Sequence, residues 1–261
     1  MAFKFDLKNL NNPLVKISII TITYNSAETI EDTLKSVAGQ DYANIEFIII
    51  DGLSKDNTLD IVKKYQDKIA QFVSEKDGGL YFALNKGIEM ATGDVIGFIH
   101  SDDFYLDKQV ISKVMHTFKQ SGADAVYGDL YYVDKGNTNK VVRKWKSGKY
   151  KDGMFLNGWM PPHPAFFAKR ECYTKFGSFN TQLRSAADYE IMLRFIHKHK
   201  ISLAYLPEYL VKMRTGGQSN ASVNNRIKAN NEDRMAWKLN GLKPRFYTLT
   251  FKPLRKILQF L

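Results

Sequence analysis

Four times in its first 103 residues the chain passes from a short apolar stretch into turn residues and then into a helical pattern. Ile17–Thr23 (ISIITIT) is apolar and β-branched, as expected of a strand covered on both faces. It ends in Tyr24-Asn25-Ser26, where Asn25 or Ser26 is placed to cap a helix running to about Ala38, with Ile30, Leu34 and Val37 on one face. Ile45–Ile50 is the second strand and stops at Asp51-Gly52. Ser54, Asp56 or Asn57 then opens a helix with Leu59, Ile61 and Val62 inward. Phe72-Val73 is a brief third strand, followed by Asp77-Gly78-Gly79 and a helix to about Met90. The fourth strand, Val95–Ile99, runs into His100-Ser101-Asp102-Asp103.

Repeated strand–helix units of this length predict an α/β fold, a mostly parallel Rossmann-like sheet with helices on both faces. In such sheets ligands bind outside the carboxyl ends of the strands. Three of the four strands end in or near an acid: Asp51, Asp77 and the Asp102-Asp103 pair. Adjacent carboxylates after a buried strand repel and raise each other's pKa unless a cation sits with them. Mg²⁺ or Mn²⁺ takes one or two carboxylates together with phosphate oxygens. A solvated turn with a helix cap is the competing reading of Ser-Asp-Asp. Asp51 and Asp77 are placed either to accept hydrogen bonds from a base or ribose or to order their own Asp-Gly turns. No GxGxxG follows the first strand and no GxxxxGK[ST] occurs, so dinucleotide and P-loop readings lack their phosphate loops.

The second half changes character. Ala125–Val133 and Val141–Trp145 read as antiparallel strands around a Lys-Gly-Asn turn, Gly153–Pro164 as a loop near the site, Phe166–Ala168 as a return to the sheet, and Ala186–His197 as a helix. Residues 226–261 carry nine basic and two acidic residues among Trp237, Phe246, Tyr247, Phe251, Leu254, Ile257, Leu258 and Phe260. That mixture predicts a basic helical extension, lying on anionic lipid or docked with a solvated basic face.

Charge is divided in the same way. Residues 1–110 hold 11 lysines and 17 acids, whereas residues 111–261 hold 27 basic and 10 acidic residues. An acidic half suggests a cation site and a basic half suggests phosphates or an anionic membrane. A basic protein gripping nucleic acid along its whole face would not concentrate its acids in one half. With Cys172 as the one cysteine, no intramolecular disulfide forms, which fits a reducing compartment. The N-terminus lacks a signal-peptide pattern, and no run approaches the ~18 apolar residues of a membrane span.

The ordered series Thr23-Tyr24-Asn25, Asp51-Gly52-Leu53-Ser54-Lys55-Asp56-Asn57-Thr58, Glu75-Lys76-Asp77-Gly78-Gly79, Asn85-Lys86-Gly87, Ala91-Thr92-Gly93-Asp94 and Ser101-Asp102-Asp103 resembles the family 2 glycosyltransferases of the GT-A fold. The likeness covers roughly residues 15–215, and its pattern is similar to the bacterial O-antigen and capsule branch. It implies a glycosyltransferase domain over residues 1–220, with a nucleotide-sugar half (1–110), an acceptor half (111–220) bearing a small antiparallel subsheet, and a basic extension over 221–261. By this resemblance Tyr24 packs near the base with Thr23 and Asn25 beside it, Asp51 and Asp77 hold the base, Asp102 the ribose, and Asp103 is the metal ligand. Many relatives carry an acid where this chain has Ser101.

Ser185-Ala186-Ala187-Asp188-Tyr189-Glu190 resembles the family's helix that presents the catalytic base, which assigns that role to Asp188 with Glu190 as reserve. An acceptor hydroxyl needs such a base, because it is a poor nucleophile until its proton is taken. The resemblance further implies His163 and Trp159 at the acceptor cleft, and Arg214 and Ser219 near the diphosphate in the flexible glycine loop 213–219, with loops around 150–165 and 205–220 setting donor and acceptor choice. The expected reaction is inverting, Mn²⁺- or Mg²⁺-dependent transfer from a nucleotide sugar, UDP-linked above GDP or dTDP. The expected acceptor is a saccharide or lipid-linked saccharide of surface polysaccharide, met at the cytoplasmic face of the membrane. A sugar nucleotidyltransferase shares a related sheet, but its Gly-rich, Arg-containing loop is replaced here by Thr23-Tyr24-Asn25-Ser26.

Overall fold

The computed structural model describes residues 15–216 and 223–257. In chain order the elements are β1 (Ile17–Thr23), α1 (Ile30–Ala38), β2 (Ile45–Asp51), α2 (Thr58–Lys63), β3 (Gln71–Ser74), α3 (Leu80–Met90), β4 (Val95–Phe98) and β5 (Asp103–Tyr105). They continue with α4 (Val110–Ser121), β6 (Ala125–Val133), β7 (Val141–Trp145), β8 (Phe166–Lys169), α5 (Arg170–Phe176), α6 (Ala187–Met192), β9 (Leu203–Arg214), α7 (Val223–Leu239) and α8 (Thr248–Ile257).

All strands join one sheet in the order β3-β2-β1-β4-β8-β6-β9-β5, with β7 beside β6. β1 pairs in parallel with β2 and β4, and β2 in parallel with β3. Every residue of β1 is buried, because α1 and α4 cover one face of the sheet and α3, α5 and α6 the other. The hydrophobic burial of these two layers is the main favourable term holding the sheet. Gly87 lets α3 lie close: a Cβ there would meet Ile20 Cγ2 at 2.5 Å. The half beyond β4 is mixed, since β8 runs antiparallel to β4 and β6 while β6 and β9 run parallel.

Three local expectations are corrected. Neither Asn25 nor Ser26 caps α1 with its side chain; the helix begins at Ile30, and the Ser26 carbonyl accepts from the Thr29 and Ile30 amides. Residues 205–214 form most of the long strand β9 rather than a loop, pairing with both β6 and β5. The helix predicted over Ala186–His197 is α-helical to Met192 and then widens into a π-helical turn, Leu193–Lys198.

The C-terminal helices are built into the fold. Ala236 and Trp237 of α7 are buried in the same core as α3 and α6, and the Trp237 indole donates to the Tyr189 hydroxyl at 2.9 Å. α8 docks through Thr248, whose hydroxyl donates to the Leu156 carbonyl at 2.6 Å. Phe246 stands 97% exposed just before it. Among the described residues no helix is long and apolar enough to cross a membrane.

Candidate active site

The ends of β1 and β2 are fixed by an acid. Asp51 is fully buried: it accepts from the Ser54 amide at 2.9 Å and hydroxyl at 2.5 Å, and from the Ser74 hydroxyl at 2.6 Å. These bonds fold the 52–54 turn, in which Leu53 takes a left-handed backbone (φ +66°) that non-glycine residues rarely adopt. Asn25 does the same at the end of β1 (φ +48°), its side chain accepting from the Lys55 amide while its own amide donates to Ser54 Oγ. Asp51 therefore serves the loop-ordering alternative directly, and its carboxylate lies beneath the surface.

Asp77 is half-buried and meets the same rim. Its Oδ1 accepts from the Gly79 amide at 2.8 Å, and its Oδ2 faces Gly52, where an added Cβ would lie 3.2 Å away. The exposed Tyr24 ring flanks the same glycine at 3.4 Å from that position. Tyr24, Gly52 and Asp77 thus form one shallow recess, with the Thr23 hydroxyl buried behind the strand end and without a hydrogen-bond partner.

The Asp102-Asp103 pair sits on the neighbouring strand end. Thr33 of α1 places its hydroxyl 2.7 Å from the Asp103 carbonyl and 3.2 Å from that of His100, and Ser26 Oγ lies 2.8 Å from Ser101 Oγ. Arg214, at the end of β9, binds the segment from below. Its guanidinium donates to the Asp102 carbonyl at 2.6 Å and pairs with Asp32 of α1, and its amide donates to Asp103 Oδ1 at 3.2 Å. Asp103 is fully buried, and its Oδ2 has no hydrogen-bond partner. Burial, together with the charge of Asp102, pushes the Asp103 carboxyl well above its usual range against the opposing pull of Arg214.

An orphaned buried carboxylate oxygen beside a second acid is what a cation would relieve, so the pair fits a divalent metal. The surface-accessible carboxylate of the two is Asp102, which is half-buried, while the oxygens of Asp103 lie behind it. Among the described residues no group of three or more His, Cys, Asp or Glu is arranged to hold a metal. One or two carboxylates with phosphate oxygens completing the shell is the usual arrangement for Mg²⁺.

Asp188, half-buried in the first turn of α6, shares this site. Its charge and that of Asp102 both raise the pKa of His100, against the larger lowering by burial. The Tyr132 phenol is raised by burial first, and then by the charges of Asp103 and Asp188 together. Asp102 and Asp188 are thus within electrostatic reach of His100, and Asp103 and Asp188 of Tyr132, where Arg143 opposes them. The Asp188 helix is held by α7: Glu232 accepts from the Arg184, Ser185 and Ala186 amides and the Ser185 hydroxyl, at 2.7–3.2 Å. Glu190 is buried against Arg194 (2.9 Å) and Asn240 (2.8 Å), so the reserve candidate is structural.

Two expected acceptor contacts are corrected. Trp159 is 3% exposed, donates to the Ser147 carbonyl at 2.8 Å and packs edge-on against Tyr127 and Phe155; its faces belong to the core. His163 is 8% exposed and stacked on Phe98 beneath His100; burial, with His100 beside it, lowers its pKa to about 3, so it stays neutral. Arg214 is not in an exposed loop but under the acidic pair, and Ser219 lies outside the described residues. His100, Asp32, Tyr132 and Glu232 went unread as site residues. Only His100, next to Ser101-Asp102-Asp103, carried a signal in the sequence.

The model of the Glycosyl transferase family 2 matches residues 18–180. An uncharacterized glycosyltransferase of Mycobacterium tuberculosis is 32% identical over 186 residues, 68% of this chain and 68% of that protein. The PGL/p-HBAD biosynthesis glycosyltransferase of Mycobacterium bovis is 28% identical over 211 residues, 79% of this chain and 80% of its own. Among solved structures, S. aureus TarS 1–349 in complex with UDP-GlcNAc is similar with a TM-score of 0.65 at 20% identity, covering 86% of this chain and 65% of that one. The mannosyltransferase PcManGT from Pyrobaculum calidifontis, in complex with GDP-Man and Mn²⁺, also has a TM-score of 0.65, at 16% identity over 94% of this chain and 70% of that one. These two likenesses speak for the fold, a mixed α/β sheet of the GT-A kind. With the family model spanning more than half of its residues, the chain belongs to glycosyl transferase family 2.

Proposed function

We propose that this protein transfers a sugar, with inversion, from a UDP-sugar to a saccharide or lipid-linked acceptor in the synthesis of a surface polysaccharide of the O-antigen or capsule kind. What supports the reading most is the buried Asp103 carboxylate, its Oδ2 unpartnered beside Asp102, with Asp188 within electrostatic reach of His100 and Tyr132. Support for a nucleotide-sugar donor comes from the UDP-GlcNAc and GDP-Man of the structural neighbours.

In this reading the base lies in the recess of Tyr24, Gly52 and Asp77, with Thr23 and Asn25 shaping its floor and Asp51 holding the turn from inside. Asp102 contacts the donor's ribose, and Asp103, through its unpartnered Oδ2, would hold the cation. A divalent Mn²⁺ or Mg²⁺ held there would supply positive charge to the departing diphosphate. Arg214 fixes the backbone of the pair rather than touching phosphate. Asp188 takes the proton from the acceptor hydroxyl as it attacks the anomeric carbon from the face opposite the nucleotide. The exposed Phe246 beside Arg245 suits attachment at the anionic inner face of the cytoplasmic membrane.

The test is thermal stabilisation by UDP with and without Mn²⁺. Stabilisation that needs the metal and is lost in Asp102→Asn, while Asp188→Asn retains it and loses transfer, is the expected result. A wild-type protein indifferent to UDP, GDP and dTDP with Mn²⁺ would refute the proposal.

A further inference from the structure

The aromatic platform that the sequence placed at Trp159 is offered instead by Trp145. This half-buried residue ends β7, and its ring lies parallel to Tyr132 (5° between planes, centroids 6.4 Å apart). The Arg143 guanidinium lies 4.0 Å from the Tyr132 centroid and 5.4 Å from that of Trp145. The three side chains make a stack that begins at Tyr132, whose β9 partner Met213 also pairs with Asp103, and ends at a separate cleft bordered by Trp145.

That cleft, about 40 Å³, is lined by Trp145, Lys146, Gly158, Met160, Lys252 and Arg255, with the edge of Trp159 at its base. α8 closes it. A Cβ on Gly158 (φ +73°) would fall 2.5 Å from the Lys252 amide nitrogen, so this approach requires glycine. Lys252 is already engaged, paired with Asp233 at 2.6 Å and lying 3.7 Å over the Tyr189 ring, next in sequence to Asp188. Lys146 and Arg255 are exposed, and among the described residues neither forms an ion pair. Buried Asp129 senses the charge of Lys146 without pairing to it. Two available cations and an aromatic face at a narrow cleft suit a phosphate bearing an apolar chain.

We infer that this cleft is the acceptor's phosphate subsite, in which Lys146 and Arg255 hold the diphosphate of a lipid-linked acceptor and Trp145 borders its first apolar or sugar unit. The inference rests on the glycosyltransferase reading and names the acceptor class for that same site. It also gives α8 a task beyond docking, since Arg255 reaches the cleft only because Thr248 and Gly158 seat the helix there.

The test uses the full chain and geranyl diphosphate in the presence of EDTA, so that metal-dependent diphosphate binding at the donor site does not contribute. Titration calorimetry should show saturable binding, weakened at least tenfold in the double variant Lys146→Glu/Arg255→Glu. A control with the same charge change elsewhere, Lys63→Glu/Lys238→Glu, should bind within threefold of wild type. Both variants should bind UDP with Mn²⁺ as wild type does. Quenching of tryptophan fluorescence by the probe should be reduced in Trp145→Phe, the remainder coming from Trp159 at the same cleft, whereas Trp237 is buried and does not line it. Equal binding by the cleft variant and the control, equal binding of geraniol, or equal affinity for inorganic phosphate would each overturn the assignment. Absent geranyl diphosphate binding in a protein that still binds UDP with Mn²⁺ would do so too. Failure of UDP binding in the wild type would instead strike the glycosyltransferase reading beneath it.

Discussion

Replacing Glu46 with glutamine should cost this protein a few kcal/mol at neutral pH and progressively less in acid. Glu46 is 4% exposed on β2 and gathers five donors: Lys16 Nζ, Thr92 Oγ1 and the Thr92 amide at 2.7 Å, Ser18 Oγ at 2.5 Å, and Gln71 Nε2 at 3.3 Å. The cluster ties β1, β2 and β3 to the turn that enters β4. Burial pushes the carboxyl up, but the hydrogen bonds from Lys16, Ser18 and Thr92 outweigh it and hold the pKa down at about 2. A folded value below the unfolded one means that the charged form stabilises the fold. That contribution is complete above the unfolded pKa and is lost as pH falls through the folded one. Lowering from 4.5 to about 2, at about 1.4 kcal/mol per unit, gives roughly 3 kcal/mol at pH 7 and roughly half of that at pH 3. Urea unfolding of wild type and Glu46→Gln between pH 7 and pH 3 measures this directly. For a slope near 3 kcal/mol/M, typical of a chain this size, the midpoints should differ by about 1 M at pH 7 and close together in acid. A gap that stays constant over that range would refute the electrostatic account and leave only a packing effect.

Four further outcomes follow from the site and its supports. Asp188→Asn should lower transfer by about 10²–10⁴-fold while the dissociation constant for UDP with Mn²⁺ changes less than twofold; a loss confined to KM would remove Asp188 from the base role. Glu232→Gln leaves the amides at the start of α6 less well served, costing about 1–3 kcal/mol in thermal or urea unfolding, and transfer should fall with it because Asp188 rides on that helix. Gly87→Ala drives a methyl to within 2.5 Å of Ile20 Cγ2 and should destabilise by about 1–3 kcal/mol; an unchanged melting temperature would show that α3 shifts freely. Trp159→Phe should lower stability by about 1 kcal/mol through the lost hydrogen bond to Ser147; an unchanged melting temperature would show that this bond carries no net weight.

What could be read in advance follows the range of the forces involved. β1 begins and ends where its apolar run does, because a strand buried on both faces writes its limits into consecutive residues, and β6 and β7 also keep the limits read from the sequence. β9 carries no such mark. Its burial alternates irregularly around Pro207-Glu208, it bulges against β6, and its partners lie some seventy or more residues away. Arg214 therefore read as part of a glycine loop, although β9 carries it beneath Asp102. Trp159 and His163 are aromatic side chains in a Gly- and Pro-rich stretch, and only packing against Tyr127, Phe155 and Phe98 shows their faces to be covered.

Residue order alone settled the α/β class, the parallel core and the carboxylates at the strand ends, since these depend on local periodicity and on where an apolar run meets its turn. It could not say which acid of a neighbouring pair faces outward, which aromatic ring is exposed, or that α7 buttresses the Asp188 helix through Glu232. Burial and long-range contact are properties of the assembled layers. Asp51 and Asp103 turned inward, Asp77 and Asp102 reached the rim, and Trp145 kept more of its ring exposed than the buried Trp159, because those layers close around some side chains and leave others at the edge.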